Sequence, residues 1–353
     1  MKSILVTGGC GFIGSHTCLV LLNANYNLLI IDSNINSRKI SLEKIIEIGN
    51  LVNKNYRDKI IFIKGDIRDK NLINSIFSES IQKKLPIEAV VHFAGLKSVE
   101  KSVSDPLLYW ENNVLGSLVL FNEMERFNCK KIVFSSSATV YATKKNNKNI
   151  KKVYLSENSD LKPSNPYGNT KLAIEKILND ICSSSINNWS VINLRYFNPI
   201  GAHPSGMIGE NPLNLPDNLF PYICRVASKK ISKLNIYGSD WPTVDGTCIR
   251  DFVHVMDLAD AHLRALEYLF KNKPQNVNLN IGTGIGTTVL QLVKTFEKTT
   301  GLEVPYQFSS RRPGDVPILI ADNKLAKKIL DWEPKKNLYD MCKDGWAWHR
   351  KNH

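Results

Sequence analysis

Hydrophobic and polar positions in the first half of the chain follow two alternating periods. Short apolar runs of β character stand at Ile4–Thr7, Leu28–Ile31, Ile60–Ile63, Ala89–Phe93 and Ile132–Phe134. Between them lie stretches whose apolar residues recur at helical spacing: Ile13–Leu22, Ile40–Ile48, Leu72–Ile76 and a long one around Leu107–Phe127. Strand alternating with helix predicts a parallel sheet covered on both faces. The handedness of crossover connections then makes it a doubly wound α/β sheet. After a further strand at Val191–Leu194 the rhythm breaks. Residues 198–250 are punctuated by Asn198-Pro199, His203-Pro204-Ser205-Gly206, Asn211-Pro212 and Leu215-Pro216, which predicts long functional loops. Helices return at Val255–Phe270 and Thr288–Thr299. The pattern reads as a nucleotide-binding lobe over 1–195, to which part of 245–285 contributes. A smaller C-terminal lobe is expected over 196–353, placed to close over a ligand. Residues 144–152 read as a surface insertion.

Chemistry enters at the first strand–helix junction, Gly8-Gly9-Cys10-Gly11-Phe12-Ile13-Gly14. Glycine at 8, 11 and 14 permits a tight turn, lets a pyrophosphate approach the backbone and allows close helix–strand packing. The helix start supplies free N–H groups and the positive end of its dipole. Asp32 ends the second strand at about the 20-residue distance expected of an acid that binds a ribose 2′-hydroxyl. Its carboxylate repels a 2′-phosphate, so NAD is expected over NADP, although Arg38 lies close by in sequence. Asp66, at the end of the third strand, is placed either to reach the adenine or to cap the next helix.

A second constellation is Tyr167-Gly168-Asn169-Thr170-Lys171, preceded by the helix-start pair Asn165-Pro166. Spacing of i, i+4 puts Tyr167 and Lys171 on one helical face. A free phenol titrates near pH ~10. A neighbouring ammonium together with a cationic nicotinamide lowers that value and turns the phenol into a base usable at neutral pH. Ser135-Ser136-Ser137 follows the strand Ile132–Phe134 at the sheet edge where such folds bind ligands, so Ser137 is expected to hydrogen-bond the reacting hydroxyl.

Composition narrows the picture further. The 353 residues carry 46 Lys and Arg against 33 Asp and Glu, a net charge of +13. The lysines are spread along the chain and interleaved with asparagine, as in Lys144-Lys145-Asn146-Asn147-Lys148-Asn149. That pattern is one of solvated loops without a nucleic-acid module, so no nucleic-acid partner is expected. No apolar run reaches the ~20 residues that span a bilayer, and Met1-Lys2 leads straight into the first strand without a signal sequence. A cytoplasmic protein with no membrane partner is expected. The seven cysteines are scattered, form no Cys-x-x-Cys pair and show no metal-site spacing, so no metal is expected.

Several blocks in order resemble the extended short-chain dehydrogenase/reductase family, in its nucleotide-sugar epimerase branch. They are Val6–Thr17, His92–Lys97, Phe134–Tyr141, Leu194–Gly206, Asp245–Ala259 and Arg311–Asp315, and the likeness runs from Lys2 to about Trp348. The resemblance implies a Rossmann domain and inversion of C4 of a UDP-hexose (UDP-galactose to UDP-glucose) through a transient 4-keto sugar, with tightly bound NAD. It implies Tyr167 as the proton-transfer group, Lys171 as its partner and ribose ligand, and Ser137 as the group steering the hydroxyl. It implies cofactor contacts at Gly8, Gly11, Phe12, Ile13, Gly14, Asp32, Asn36, Ser37, Asp66, Ile67, Phe93, Ala94, Gly95, Lys97, Asn112, Ser135, Tyr167, Lys171 and Tyr196. The UDP-sugar would be held by Lys97, Ser137, Tyr167, Phe197, Asn198, Asn218, Leu219, Asn235, Tyr237, Arg250, Arg312, Asp315 and Leu319. A homodimer built from the helices near 105–127 and 167–183 is implied as well. Two features depart from the pattern: Ala142 stands where the family usually has glycine, and Leu319 is intermediate at a position whose bulk is associated with acceptance of N-acetylhexosamines. Other readings of the same fold are a 4,6-dehydratase, a UDP-glucuronate enzyme or a non-catalytic NAD-binding regulator. The first expects Asp-Glu just after the strand-end serine, where this chain has Ala138-Thr139. The second matches less well, and the third could dispense with the Tyr–Lys pair and the anchoring arginines.

Overall fold

The computed structural model describes residues 1–142, 154–184, 188–213, 218–312 and 315–353; the insertion read at 144–152 and the Leu215-Pro216 pair lie outside them. A seven-stranded sheet forms the centre. Its strands run in the spatial order Asn276–Ile281, Ser190–Tyr196, Lys131–Ser137, Ile87–His92, Ser3–Thr7, Asn27–Asp32, Ile60–Lys64. Every pairing is parallel. The chain winds outward in both directions from Ser3–Thr7, so the crevice between that strand and Ile87–His92 is the switch point at which such sheets bind ligands.

Both faces of the sheet are buried, which explains the continuous apolar runs of its strands. On one face the helices Phe12–Asn23, Ile40–Leu51 and Val255–Lys271 pack over Val6, Ile30, Val91, Val133 and Leu194. On the other, the helices Lys70–Gln82, Gly116–Arg126 and Pro166–Ser183 cover Leu5, Ile31, Val90, Ile132 and Val191. The helix Val255–Lys271 and the strand Asn276–Ile281 thus join the central sheet although they come late in the chain.

The long helix expected around Leu107–Phe127 is instead segmented. Short helices at Val99–Ser104 and Pro106–Tyr109 lead into a π-helical turn at Trp110–Leu115, and a regular helix resumes at Gly116–Arg126. Asp105 caps the second segment by accepting from Leu108 N, and Pro106 has no amide hydrogen with which to continue the first. The π turn aims Asn113 inward. Its amide bonds both the N–H and the carbonyl of Leu96, at 2.8 and 3.1 Å, and reaches Thr170 Oγ1 at 3.0 Å. Such turns recur at functional sites because they redirect one side chain.

The C-terminal lobe has its own core, with Phe220, Cys224, Phe296, Val304 and Cys342 buried among the helices Leu219–Ala227, Val289–Thr300 and Leu338–Asn352. Its strands are short. Ile249–His254 pairs with Gly286–Thr288 and Ile318–Ala321 and, further along, with Asn198–Ile200; Leu234–Tyr237 pairs with Tyr306–Ser309.

Leu194 is fully buried in a strand flanked on both sides. Leu194→Ala is expected to lower unfolding free energy by about 2–5 kcal/mol in a denaturant titration. A change below about 1 kcal/mol would contradict that packing.

Candidate active site

A cleft of about 460 Å³ opens along the C-terminal edge of the sheet. Its floor is the glycine turn. Gly8 has φ +72°, and a β-carbon there would lie 2.8 Å from Ala94 N. A β-carbon at Gly14 would lie 2.3 Å from the Gly8 carbonyl oxygen. No side chain fits at either place. The helix Phe12–Asn23 starts at Gly11 with no side-chain cap, which leaves its first N–H groups to a ligand. Asp32 is buried and already organised: Oδ2 accepts from Cys10 N at 2.9 Å, and Oδ1 accepts from Asn34 N at 2.9 Å and Ser37 Oγ at 2.6 Å. Asn36, Ser37, Ile67, Phe93, Ala94, Gly95 and Asn112 line the same cleft. Asp66 also faces it, clasped by Arg68, whose hydrogen bonds hold the carboxyl below the usual range.

At the other end of the cleft stand Ser137, Tyr167 and Lys171. Asn165 caps the helix Pro166–Ser183 by accepting from Gly168 N at 2.8 Å, and Pro166 occupies its first turn. This fixes the face on which Tyr167 and Lys171 project. Lys171 Nζ donates to the Ser135 carbonyl at 2.7 Å and lies 5.8 Å from the centre of the Tyr167 ring. Ser137 Oγ accepts from Thr139 N and Thr139 Oγ1 and lines the cleft beside Tyr167. Burial pushes the Tyr167 phenol up to about 12, against the lowering effect of Ser137. Burial also pushes the Lys171 ammonium down to about 8, opposed by Glu175. The protein's own groups therefore leave the phenol protonated; the acidified tyrosine expected from sequence requires a cationic ligand beside it. Tyr196 closes this end, its hydroxyl hydrogen-bonded to His262 Nε2. Burial lowers His262 to about 4, so the ring is neutral near pH 7.

The expected sugar-nucleotide residues fall into two groups. Lys97, Ser137, Tyr167, Phe197, Asn198, Asn218 and Leu219 line the cleft. Asn198 Oδ1 is buried with no hydrogen-bond partner among the described residues, which marks a polar group awaiting a ligand. Asn235, Tyr237, Arg250, Arg312, Asp315 and Leu319 do not line that cavity. Asp315 gathers the arginines, with Arg312 Nε at 3.2 Å and Arg250 Nη2 at 3.6 Å. The Arg312 guanidinium stands 4.7 Å from the centre of the Tyr237 ring. Asn235 accepts from Gln307, and Leu319 pairs with Arg250 across adjoining strands while packing against the group that contains Phe197 and Tyr141.

Sequence reading missed Glu210. This carboxylate sits in the Pro/Gly-rich segment, lines the cleft, and accepts from Lys97 Nζ and Asn218 Nδ2, each at 2.7 Å. It also missed His262 and Asn113, whose roles come from contacts distant in sequence that no local pattern encodes.

With this geometry in place, known proteins supply the family. A profile described as the NAD dependent epimerase/dehydratase family matches residues 4–282. The chain belongs to that family. Within this epimerase/dehydratase family it is 46% identical to the UDP-glucose 4-epimerase of Bacillus subtilis (strain 168), over 99% of this chain and 97% of that one. Among solved structures it resembles the UDP-glucose 4-epimerase of Bifidobacterium longum in complex with NAD+ and UDP, with TM-score 0.90, 39% identity and 99% of each chain covered. It also resembles the UDP-glucose-4-epimerase of Stenotrophomonas maltophila with bound NAD and formylated UDP-arabinopyranose, with TM-score 0.91, 39% identity and coverage of 99% and 98%.

Asp32→Ala removes the carboxylate that repels a 2′-phosphate. The variant is expected to bind NAD at least about tenfold more weakly and to narrow its preference over NADP, measured by calorimetric titration. Unchanged discrimination would show that Asp32 does not read the ribose.

Proposed function

We propose that this chain inverts C4 of a UDP-linked hexose, interconverting UDP-galactose and UDP-glucose with NAD held in the cleft. The observation that carries the reading is the convergence of Ser137, Tyr167 and Lys171 on one end of a dinucleotide-shaped cleft, in a chain similar over its whole length to UDP-glucose 4-epimerases. The residues present suit NAD. Backbone without side chains lies where a pyrophosphate must approach, an uncapped helix start faces it, and a fixed carboxylate waits for a ribose hydroxyl. When bound, NAD supplies the hydride acceptor that oxidises C4 and the donor that reduces it again.

The protein's part is proton movement and orientation. Ser137 holds the sugar 4-hydroxyl toward Tyr167, which takes its proton and later returns one. Lys171 keeps a positive charge beside the phenol ring and presents donors to the cofactor ribose. Tyr196, fixed by His262, closes the wall behind the reacting carbon. Asn198, with its unmatched buried oxygen, and Asn218 hold the nucleotide-sugar, and the arginines gathered by Asp315 provide charge for its pyrophosphate. Leu319 packs near Phe197, where it limits substituents on the hexose ring.

The chain acts in the cytoplasm as a homodimer. Its cysteines are free thiols, as a reducing compartment maintains them. Val103, Leu107, Trp110, Leu115 and Leu118 are exposed along the helices between 99 and 126, an apolar surface that a second copy would cover.

Tyr167→Phe removes the acid/base group while leaving the ring. It is expected to lower UDP-galactose conversion by at least about 100-fold while purified protein retains its NAD. Turnover near wild type would remove Tyr167 from the mechanism. Leu107→Glu combined with Trp110→Glu is expected to halve the mass seen by light scattering; an unchanged mass would place the interface elsewhere.

A further inference from the structure

The helix that carries Tyr167 and Lys171 holds one more buried titratable group, which the reaction above does not use. Glu175 lies one turn beyond Lys171 on the same face, and the two are 5% and 4% exposed. Arg195 Nε donates to Glu175 Oε1 at 3.0 Å, and Arg195 Nη2 donates to Oε2 at 2.7 Å. Ser136 Oγ also donates to Oε1. Arg195 is 1% exposed and uses its remaining nitrogen on Tyr141 Oη and the Glu157 carbonyl, both at 3.1 Å. Tyr141 Oη passes on to Asn280 Oδ1 at 2.6 Å. Consecutive residues of one strand therefore hold the two groups, Ser135 through its carbonyl to Lys171 and Ser136 through its hydroxyl to Glu175.

Fold stability alone does not account for this network. Desolvation consumes most of what a buried ion pair gains, and an apolar pair of similar volume often serves a core as well or better. An apolar pair cannot, however, offset the burial of Lys171. Burial lowers the Lys171 ammonium and the Glu175 carboxylate raises it. The other titratable groups around Lys171 offer no such help. His92, from the neighbouring strand, is driven to about 3 by burial and is neutral. Tyr167 and Tyr196 are pushed upward by burial and stay uncharged near neutral pH. Arg195 is cationic and turned onto Glu175.

We propose that Glu175 is a positioning residue for the reaction: clamped by Arg195 and Ser136, its carboxylate keeps Lys171 an ammonium, so that a cation stands beside Tyr167 during proton transfer. This deepens the epimerase reading and rests on the proton-transfer roles given there to Tyr167 and Lys171. The sign is fixed. A lysine with a carboxylate partner keeps its proton to higher pH than one without, and it loses the proton as pH rises through its own pKa. Removing the carboxylate makes that loss begin at lower pH.

The test compares wild type, Glu175→Gln, Glu175→Asp and the double variant Glu175→Gln/Arg195→Met, all as NAD-loaded protein. Thermal melting, the pH profile of kcat/KM for UDP-galactose, and the titration of the isotope-labelled Lys171 side chain by magnetic resonance are followed. Glu175→Gln leaves Arg195 uncompensated and is expected to melt lower. The double variant removes both charges and is expected to recover most of the melting temperature. In both, the alkaline limb of the profile and the Lys171 midpoint are expected about one pH unit or more lower, a roughly tenfold loss of protonated lysine above the midpoint. Glu175→Asp is expected to restore much of both. A double variant that recovers wild-type melting, alkaline limb and Lys171 midpoint together would reduce Glu175 to a structural partner of Arg195 and overturn the inference. If wild type converts no UDP-galactose, the functional reading fails; the Lys171 midpoint still decides the inference, and an unchanged midpoint in the double variant overturns it.

Discussion

The site depends on a contact that has no room for a side chain. Gly14 approaches the Gly8 carbonyl so closely that a β-carbon would sit 2.3 Å from it, while Gly8 presses against the backbone at Ala94. These approaches set the first helix directly above the crevice between Ser3–Thr7 and Ile87–His92. The helix start, Asp32 and the strand-end serines then face one space. Because neighbouring strands are parallel and in register, Ser137 and Tyr196 end side by side, as do Thr7 and His92. Reactive groups from distant parts of the sequence are collected by sheet geometry rather than by a shaped loop.

Burial is the second constraint, and it acts on charge. His92 and His262 are both driven neutral, so these rings serve as fixed hydrogen-bonding groups instead of switches. His262 Nδ1 lies 2.8 Å from the Leu258 carbonyl, which leaves Nε2 as the acceptor for the Tyr196 hydroxyl. The same burial raises Tyr167 and lowers Lys171, so each resists the ionised form that proton transfer calls on. Catalytic competence in such a site comes from charges that oppose desolvation. Buried, hydrogen-bonded carboxylates near the reacting end are therefore worth as much attention as the groups that touch the substrate.

The first half of the fold was legible because its information is local. A run such as Leu28–Ile31 and a helical stripe such as Ile13–Leu22 each announce themselves within one window, and the glycine turn sits exposed between two of them. The Tyr167–Lys171 pair was legible for the same reason, since i, i+4 spacing is a local property. The second half hid its strands. Asn198–Ile200 and Gly286–Thr288 have three residues each, and both lean on Ile249–His254, a partner far away in sequence. The π turn was invisible because its cause is Asn113 reaching Leu96 and Thr170, not a signal within Trp110–Leu115. The rise of the phenol is illegible for a related reason: sequence does not display how deeply Tyr167 is buried, and the fall expected of it calls on a cationic nicotinamide as well as the lysine.

The bridge at Glu210 carries a thermodynamic consequence. Lys97 belongs to the sheet side of the cleft and Asn218 to the C-terminal side, and one oxygen of a carboxylate that is 9% exposed accepts from both. Lys97 is the only cation paired with Glu210 among the described residues, so a guest that drew Lys97 away would leave that oxygen with Asn218 Nδ2 as its remaining partner.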